Sequence, residues 1–224
     1  MTYGEYIAYH LRGDAGVEER MIASLCRHFH LPMWDAFRLV YYYAMTYHIP
    51  SALDMLNGER DMGKLKFRTD RRYVRCHGAF ARLLQEMTAD KLARLIRANT
   101  TTEAYKEVSS WYYFGRYAAY LFLEVWINVM HPGWADDLRP GWEPGENYTK
   151  GAQILAGSKD RAALDAFLVR ARKDTGDNTF AIETSLCAVA KFVKGTRWDG
   201  YYTERMLSDA AGTRWETLIY KLAK

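Results

Sequence analysis

Residues 111–130 read WYYFGRYAAYLFLEVWINVM, and this is the most apolar extended stretch of the chain. Its apolar side chains recur every three or four residues, which is the period of an α-helix, and they cover more than one stripe. The main stripe consists of Phe114, Ala118, Leu121, Val125 and Val129, and it is widened by Tyr112, Ala119, Phe122 and Trp126. A helix with so little surface left for water is predicted to lie buried at the centre of the fold.

A second face of this helix is polar, and it carries Tyr113, Arg116, Tyr120, Glu124 and Asn128. Two interpretations are open, because a buried charge must be paired or hydrogen-bonded. Arg116 and Glu124 have structural partners on neighbouring helices, or the polar face borders a cavity where a ligand completes the hydrogen bonds. Gly115 favours the second interpretation, since glycine permits another backbone to approach closely.

Helical periodicity also dominates the rest of the chain, and no segment alternates as a strand does. A long loop rich in Pro, Gly and Trp is predicted over residues 131–151. The fold class is therefore predicted as all-α, with one compact helical domain over residues 1–224. The other predicted helices cover about 14–30, 32–48, 50–56, 76–86 and 88–99, two helices capped by Ser158 and Asp177, and a last helix from about 200 to the C-terminus.

Composition indicates a globular protein in a reducing compartment. The chain has 224 residues, 49% hydrophobic and 26% charged, and a formal net charge of +4 that is too small to identify a polyanionic partner. Three well-separated cysteines without a CxxC motif predict reduced thiols and a cytoplasmic location, and no uncharged apolar run is long enough to span a membrane. The six histidines form no zinc-binding motif, so no zinc site is expected.

Positive charge is densest in KLKFRTDRRYVR, residues 64–75, where six cations face one acid, Asp70. Such a run is either a solvated basic face or a phosphate-binding segment, and the interleaved Phe67 and Tyr73 favour phosphate binding. A second dense stretch is RWDGYYTER, residues 197–205, where Asp199 occupies the N-cap position of the last predicted helix. The cations and aromatic residues around that carboxylate would also suit a site for an anion or an extruded base.

Four segments together resemble a known family: YYYAMTYHIPSAL at 41–53, FRTDRRYV at 67–74, FGRYAAYLFLE at 114–124 and RWDGYYTER at 197–205. They resemble the amino acid:DNA transferases of bacteriophages, also called α-glutamyl/putrescinyl thymine pyrophosphorylases. The resemblance implies a helical fold related to that of the DNA glycosylases. It also implies an enzyme of the infected host cytoplasm that replaces the pyrophosphate of 5-(pyrophosphoryloxymethyl)deoxyuridine in phage DNA with an amine from an amino acid or polyamine.

The reaction that the resemblance implies has three chemical requirements, and residues in and beside these segments are expected to meet them. Displacement of pyrophosphate needs cations for the leaving group, an acceptor for the amine proton, and aromatic surfaces for the extruded base. The expected catalytic residues are Asp199, Glu124 and Arg116; the DNA or pyrophosphate ligands are Lys66, Arg68, Asp70, Arg71, Arg72 and Arg197; the base or amine pocket is formed by Tyr43, Tyr47, His48, Tyr120, Trp198, Tyr201 and Tyr202. No cofactor is required, although Asp70 is a candidate either to orient an arginine or to bind Mg²⁺.

Two other functions remain compatible with the same residues. A DNA-binding module without catalytic activity would need only the basic run and the tyrosines. A glycosylase that excises a modified base would use a carboxylate to activate water or to stabilise a ribosyl cation.

Overall fold

The structure is a computed structural model that describes residues 1–76 and 78–224, with the side chain of Asp70 outside the description. Within these residues the chain is all-α, as predicted, and the one β-type pairing is an isolated bridge between Thr100 and Ala135. The helices are α1 Tyr3–Arg12, α2 Val17–His28, α3 Met33–Thr46, α4 Ile49–Leu56, α5 Ala79–Gln85, α6 Ala89–Ile96, α7 Thr101–Ser109, α8 Arg116–Met130, α9 Asn147–Ala156, α10 Arg161–Thr175, α11 Thr179–Val193, α12 Tyr201–Ala210 and α13 Glu216–Leu222.

The contacts divide the chain into two compact units. Unit 1 consists of Met1–Val17 and Asp136–Arg205, and unit 2 consists of Glu18–Ala135 and Met206–Lys224. The prediction of one domain over residues 1–224 stays a prediction. Among the described residues, none of the helices combines the length and the apolar character that crossing a bilayer requires.

The core of unit 2 is built on α8, as its sequence predicts. Residues 118–126 of this helix are all buried. Its Phe122 and Trp126 pack edge-on against Phe37 of α3, with ring centroids 5.9 Å apart in both pairs. Edge-to-face aromatic pairs add about 0.5–1.5 kcal/mol beyond the burial of their area, so this cluster fixes α8 against α3.

The start of α8 differs from its prediction. The helix begins at Arg116, so Gly115 is its N-cap residue rather than an interior one. A Cβ atom at Gly115 would meet no heavy atom within 4 Å, so the close backbone approach expected there is wrong. Glycine is instead tolerated because an N-cap residue has non-helical backbone angles.

Unit 1 is held together by the packing of α9 on α11 and by side chains from the loop that precedes α9. Trp142 of this loop and Tyr148 in the first turn of α9 are buried with Leu168 and Leu186. The Trp142 indole also donates to Asp165 at 2.7 Å. Since α9 begins at Asn147, its first part lies inside the stretch 131–151 that was predicted as a loop.

Two predicted N-cap residues were wrong, because another residue that can cap a helix lies one or two positions further along the chain. Asp160 rather than Ser158 caps α10, and Asn178 rather than Asp177 caps α11. Helix α7 was not predicted, and the last predicted helix is divided into α12 and α13 by a turn at Gly212, whose φ of 71° is left-handed. A glycine adopts that conformation without the steric cost that other residues incur.

Candidate functional site

The residues expected to form the site belong to both units. Unit 1 contains Arg197, Trp198, Asp199, Tyr201 and Tyr202, whereas the other expected residues belong to unit 2. Within unit 2 the structure brings together Tyr43, Tyr47, His48, Arg68 and Arg71, and it adds Glu18, Ser51, Tyr117 and Asp209, which the sequence did not single out.

An ion-pair cluster lies at the centre of this group. Arg68 donates from Nη2 to Oε1 of Glu18 at 2.6 Å and from Nη1 to Oε2 at 3.2 Å, and it also pairs with Asp209. Tyr43, which is fully buried, donates its hydroxyl to Oε2 of Glu18 at 2.9 Å. Glu18 is only 2% exposed. Removing one member of such a buried pair costs about 3–5 kcal/mol, so Arg68 is fixed in place by two carboxylates.

His48 lies beside this cluster, and its hydrogen bonds identify its tautomer. Its Nδ1 accepts from the Ser51 backbone N–H at 3.2 Å and lies 2.9 Å from the Ser51 hydroxyl, which itself accepts from the Lys66 backbone N–H. Because Nδ1 is an acceptor, the proton of the neutral ring is on Nε2. Among the described residues Nε2 has no hydrogen-bond partner, and Asp209 Oδ1 is 3.9 Å away.

Burial lowers the pKa of His48 from 6.5 to about 4, although Asp209 acts in the opposite direction. The ring is therefore neutral at pH 7 and offers an N–H donor toward the carboxylate of Asp209. A neutral buried imidazole beside a partly exposed carboxylate, whose side chain is 29% exposed, is an arrangement typical of sites for acid–base chemistry.

The depressed pKa of His48 predicts a specific loss of stability in acid. Between about pH 6.5 and 4, His48 is protonated in the unfolded chain but neutral in the folded protein. The contribution of His48 to stability is therefore highest above pH 6.5 and falls as the pH decreases. The contribution lost between pH 7 and pH 5 is about 2 kcal/mol. Asparagine at this N-cap position can still accept from Ser51 but does not titrate. The free energy of unfolding is measured with denaturant at pH 7 and pH 5 for wild type and His48→Asn. Between these pH values the wild type should lose about 2 kcal/mol more than the variant. Equal losses in the two proteins would contradict the assignment.

The basic segment of residues 64–75 has an inner and an outer side. Arg71 is buried, donates from Nε to the Ala44 carbonyl at 2.8 Å, and stacks on the Tyr117 ring at 4.6 Å. Lys66, Arg72 and Arg75 are exposed. The segment is thus attached to unit 2 by some of its cations while others face solvent. The side chain of Asp70, and with it the predicted Mg²⁺ contact, lies outside the described residues.

Tyrosine rings lie over the inner cations of this segment. Arg68 stacks on Tyr47 at 4.6 Å, and the Tyr47 and Tyr117 ring centroids are 6.2 Å apart. Tyr117 is 46% exposed although Arg71 stacks on it. A partly exposed ring held by a stacked guanidinium is a suitable surface for a nucleobase, because every base has a π-face.

On α8 the predicted polar face carries Arg116, Tyr120, Glu124 and Asn128, of which the middle two are buried and the outer two half-buried, while Tyr113 precedes the helix and is exposed. Glu124 is 2% exposed and Tyr120 5% exposed. Arg116 stacks on the Tyr120 ring at 4.4 Å, and the Asn128 amide donates to the Glu124 carbonyl at 2.8 Å. The roles expected of Glu124, Arg116 and Tyr120 stay predictions.

In unit 1 the expected residues around α12 make a different set of contacts. Arg197 stacks on Tyr201 at 4.1 Å, and the Trp198 indole donates to Glu204 at 3.1 Å. Tyr202 is buried, whereas Trp198 is 50% exposed. Aromatic and cationic side chains are therefore grouped here, as the sequence indicated.

Asp199 does not cap α12. Its carboxylate accepts from Arg12 at 2.9 Å in an exposed pair, with both side chains more than half exposed. The backbone N–H groups of Tyr202 and Thr203 donate instead to Asp14, at 3.3 and 2.9 Å. The sequence places Asp14 at the start of the helix predicted over about 14–30, where it would be the cap, so the capping predictions for both aspartates are wrong.

Glu18 and Asp209 left a partial signal in the sequence. Glu18 occupies the face of α2 that carries Ile22 and Leu25, both fully buried, so a carboxylate on this face required a partner. Its partner could not be identified, because Arg68 lies 50 residues away and Asp209 a further 141 residues beyond Arg68.

Neither a search for metal-binding groups nor a comparison with known proteins identifies a function. Among the side chains that the structure describes, which exclude that of Asp70, no group of three or more His, Cys, Asp or Glu residues is arranged to hold a metal ion. Comparison with models of protein families and with curated proteins finds no match to this chain. What the protein does must therefore be inferred from the side chains themselves.

Proposed function

We propose that the protein is a DNA base-modifying transferase that acts on phage DNA. It replaces the pyrophosphate of 5-(pyrophosphoryloxymethyl)deoxyuridine with the amine of an amino acid or polyamine and releases pyrophosphate. The observation that carries the proposal is the grouping in unit 2 of neutral His48, the carboxylate of Asp209 and stacked tyrosines beside an exposed row of cations. These residues lie in or next to the segments that resemble the amino acid:DNA transferases.

Each requirement of the reaction has a candidate within unit 2. The amine loses a proton when its nitrogen forms the new C–N bond to the methylene carbon, as the C–O bond to pyrophosphate breaks. Asp209 is the partly exposed carboxylate that accepts this proton. Lys66 and Arg72, both exposed, offset the charge of the pyrophosphate or of the DNA backbone. Tyr117 supplies the stacking surface for the base.

Arg68 acts in this proposal as a positioning residue. Its guanidinium already binds Glu18 and Asp209, so accepting a phosphate in their place would break a buried ion pair. It holds the Asp209 carboxylate near Nε2 of His48 and carries the Tyr47 ring on its face. Glu124 and Asp199 are the alternative proton acceptors.

The proposal is tested by mass spectrometry of nucleosides from treated DNA. A duplex with pyrophosphorylated 5-hydroxymethyluracil is incubated with the protein and a mixture of amino acids and polyamines. Transfer yields an amine-modified nucleoside and pyrophosphate, and the matching duplex with unmodified 5-hydroxymethyluracil yields none. Loss of the base with an abasic product identifies a glycosylase. Binding without any change of the nucleosides identifies a DNA-binding module.

Substituting alanine for Arg71 should lower stability, whereas the same substitution at Arg72 should weaken DNA binding. Arg71→Ala removes a buried hydrogen bond and the packing under Tyr117, so it should cost about 2–3 kcal/mol of stability. Arg72→Ala should change stability by less than about 0.5 kcal/mol. It should instead weaken DNA binding and lower the salt slope of log K by about 1 if Arg72 contacts a phosphate.

Melting curves and salt titrations of both variants measure these effects. An unchanged salt slope for Arg72→Ala would remove that residue from the DNA contacts. A normal melting temperature for Arg71→Ala would contradict its structural role.

A further inference from the structure

A groove in unit 1 has a composition that the transferase proposal does not use. Its volume is about 520 Å³. It is lined by residues of α9 from Lys150 onward, by the start of the segment that follows α9, and by the C-terminal end of α11. The apolar part consists of Ile154, Ala190 and Val193, and the charged part consists of Lys150, Lys159 and Lys194. Ile154 is 42% exposed and Val193 52% exposed.

Two branched apolar side chains exposed in the same groove form a surface that water solvates poorly. Isolated apolar residues on a surface are ordinary, but here they share one concave site. Covering the exposed part of each side chain would remove apolar area from water, which is favourable. The groove therefore favours an apolar group of a partner.

The charge at the groove is positive. None of its lining residues, all of which belong to the described chain, carries a carboxylate. The C-terminal ends of α9 and α11 each contribute a partial negative charge of about 0.5. With the three lysines, the net charge at the groove is about +2. Lys150 donates to the Gly145 carbonyl, whereas Lys159 and Lys194 line the groove and are exposed. A partner that fits both properties has apolar side chains flanked by carboxylates.

We infer that this groove binds an acidic amphipathic helix of a partner protein. Such a helix inserts the apolar side chains of one face between Ile154 and Val193 and places Glu or Asp side chains against Lys159 and Lys194. Helix-in-groove recognition uses apolar anchors spaced at i, i+3 or i+4 and i+7, while charges at the rim fix orientation. Nucleic acid matches the charge but not the apolar floor of the groove.

The test uses a fluorescent helical peptide of about 15 residues, with leucines at i, i+3 and i+7 and glutamates beside them. A second peptide has every glutamate replaced by lysine. The full-length protein should bind the acidic peptide, and the basic peptide should bind at least about tenfold more weakly. Absence of acidic-peptide binding below about 1 mM overturns the inference.

Unit 1 offers matched controls for the two kinds of contact. Val193→Asp and Lys194→Glu should each weaken acidic-peptide binding about tenfold. Val169→Asp and Lys173→Glu alter equally exposed residues of α10 outside the groove and should leave binding within about twofold. If the α10 variants weaken peptide binding as much as the groove variants do, the site is wrong. The inference is also overturned if the acidic peptide does not bind while phosphatidylglycerol vesicles or single-stranded DNA bind tightly and the groove variants abolish that binding. Turnover is not needed for this test, so its result is separate from that of the transferase proposal.

Discussion

Replacing Asp209 by asparagine is expected to lower the rate of amine transfer about 100-fold or more, because a neutral amide cannot accept the proton of the attacking amine. The fold should survive the change. An asparagine oxygen can still accept from Arg68, and Glu18 keeps two hydrogen bonds to the same guanidinium. The measurement is the initial rate of formation of the amine-modified nucleoside, together with the melting temperature of the variant.

Asp54 provides the matched control for Asp209. It is also a carboxylate of unit 2 paired with an arginine, Arg214, and its side chain is 28% exposed against 29% for Asp209. It has no histidine beside it in the contacts of the described residues. Asp54→Asn should therefore keep transfer close to the wild-type rate.

Asp199→Asn and Glu124→Gln distinguish the alternative proton acceptors. Asp199 forms an exposed ion pair with Arg12, and such pairs contribute at most about 1 kcal/mol. With Asp209 as the acceptor, Asp199→Asn should leave transfer nearly unchanged. Loss of transfer in Asp199→Asn or Glu124→Gln, with Asp209→Asn fully active, would assign the proton acceptor to that other residue.

The sequence predicted the elements of the fold more reliably than the contacts of its charged residues. Helix α8 was predictable because its apolar residues repeat with the helical period, which depends only on neighbours along the chain. The buried pairing of Glu18 with Arg68 was not, because it joins residues 50 positions apart. The same limit explains Asp14, whose carboxylate accepts from backbone groups 188 and 189 positions away.

Basic residues illustrate a second limit of sequence patterns. Arg71 and Arg72 are neighbours in one charged run, yet one is buried and the other exposed. A 3₁₀ segment, Thr69–Arg75, turns successive side chains in different directions, so the charge density of the run could not indicate which cations face solvent. The exposed row available for phosphate is therefore smaller than the six cations of the sequence.

Gly151→Ala is expected to destabilise the protein by at least about 3 kcal/mol, beyond the usual range for overpacking of flexible side chains. A Cβ atom at this position would lie 2.1 Å from the Leu186 carbonyl oxygen and 2.9 Å from its carbonyl carbon. Both atoms belong to the backbone of α11, so no side-chain rotation can relieve the clash. The two helices would have to separate by about 1 Å, which loosens the close packing of Ala152 and Leu186 in the core.

Gly4→Ala is the matched control, since Gly4 is also a helical glycine of unit 1, but a Cβ atom there would have no heavy atom within 4 Å. That substitution should stabilise the protein by about 0.5–1 kcal/mol, because alanine is the better helix former. For a chain of this length the expected shifts in melting temperature are a decrease of about 6–12 °C for Gly151→Ala and an increase of about 1–4 °C for Gly4→Ala. If both variants melt at a higher temperature than the wild type, the only effect of alanine at position 151 is its better helix propensity. In that case α9 does not approach α11 closely at Gly151.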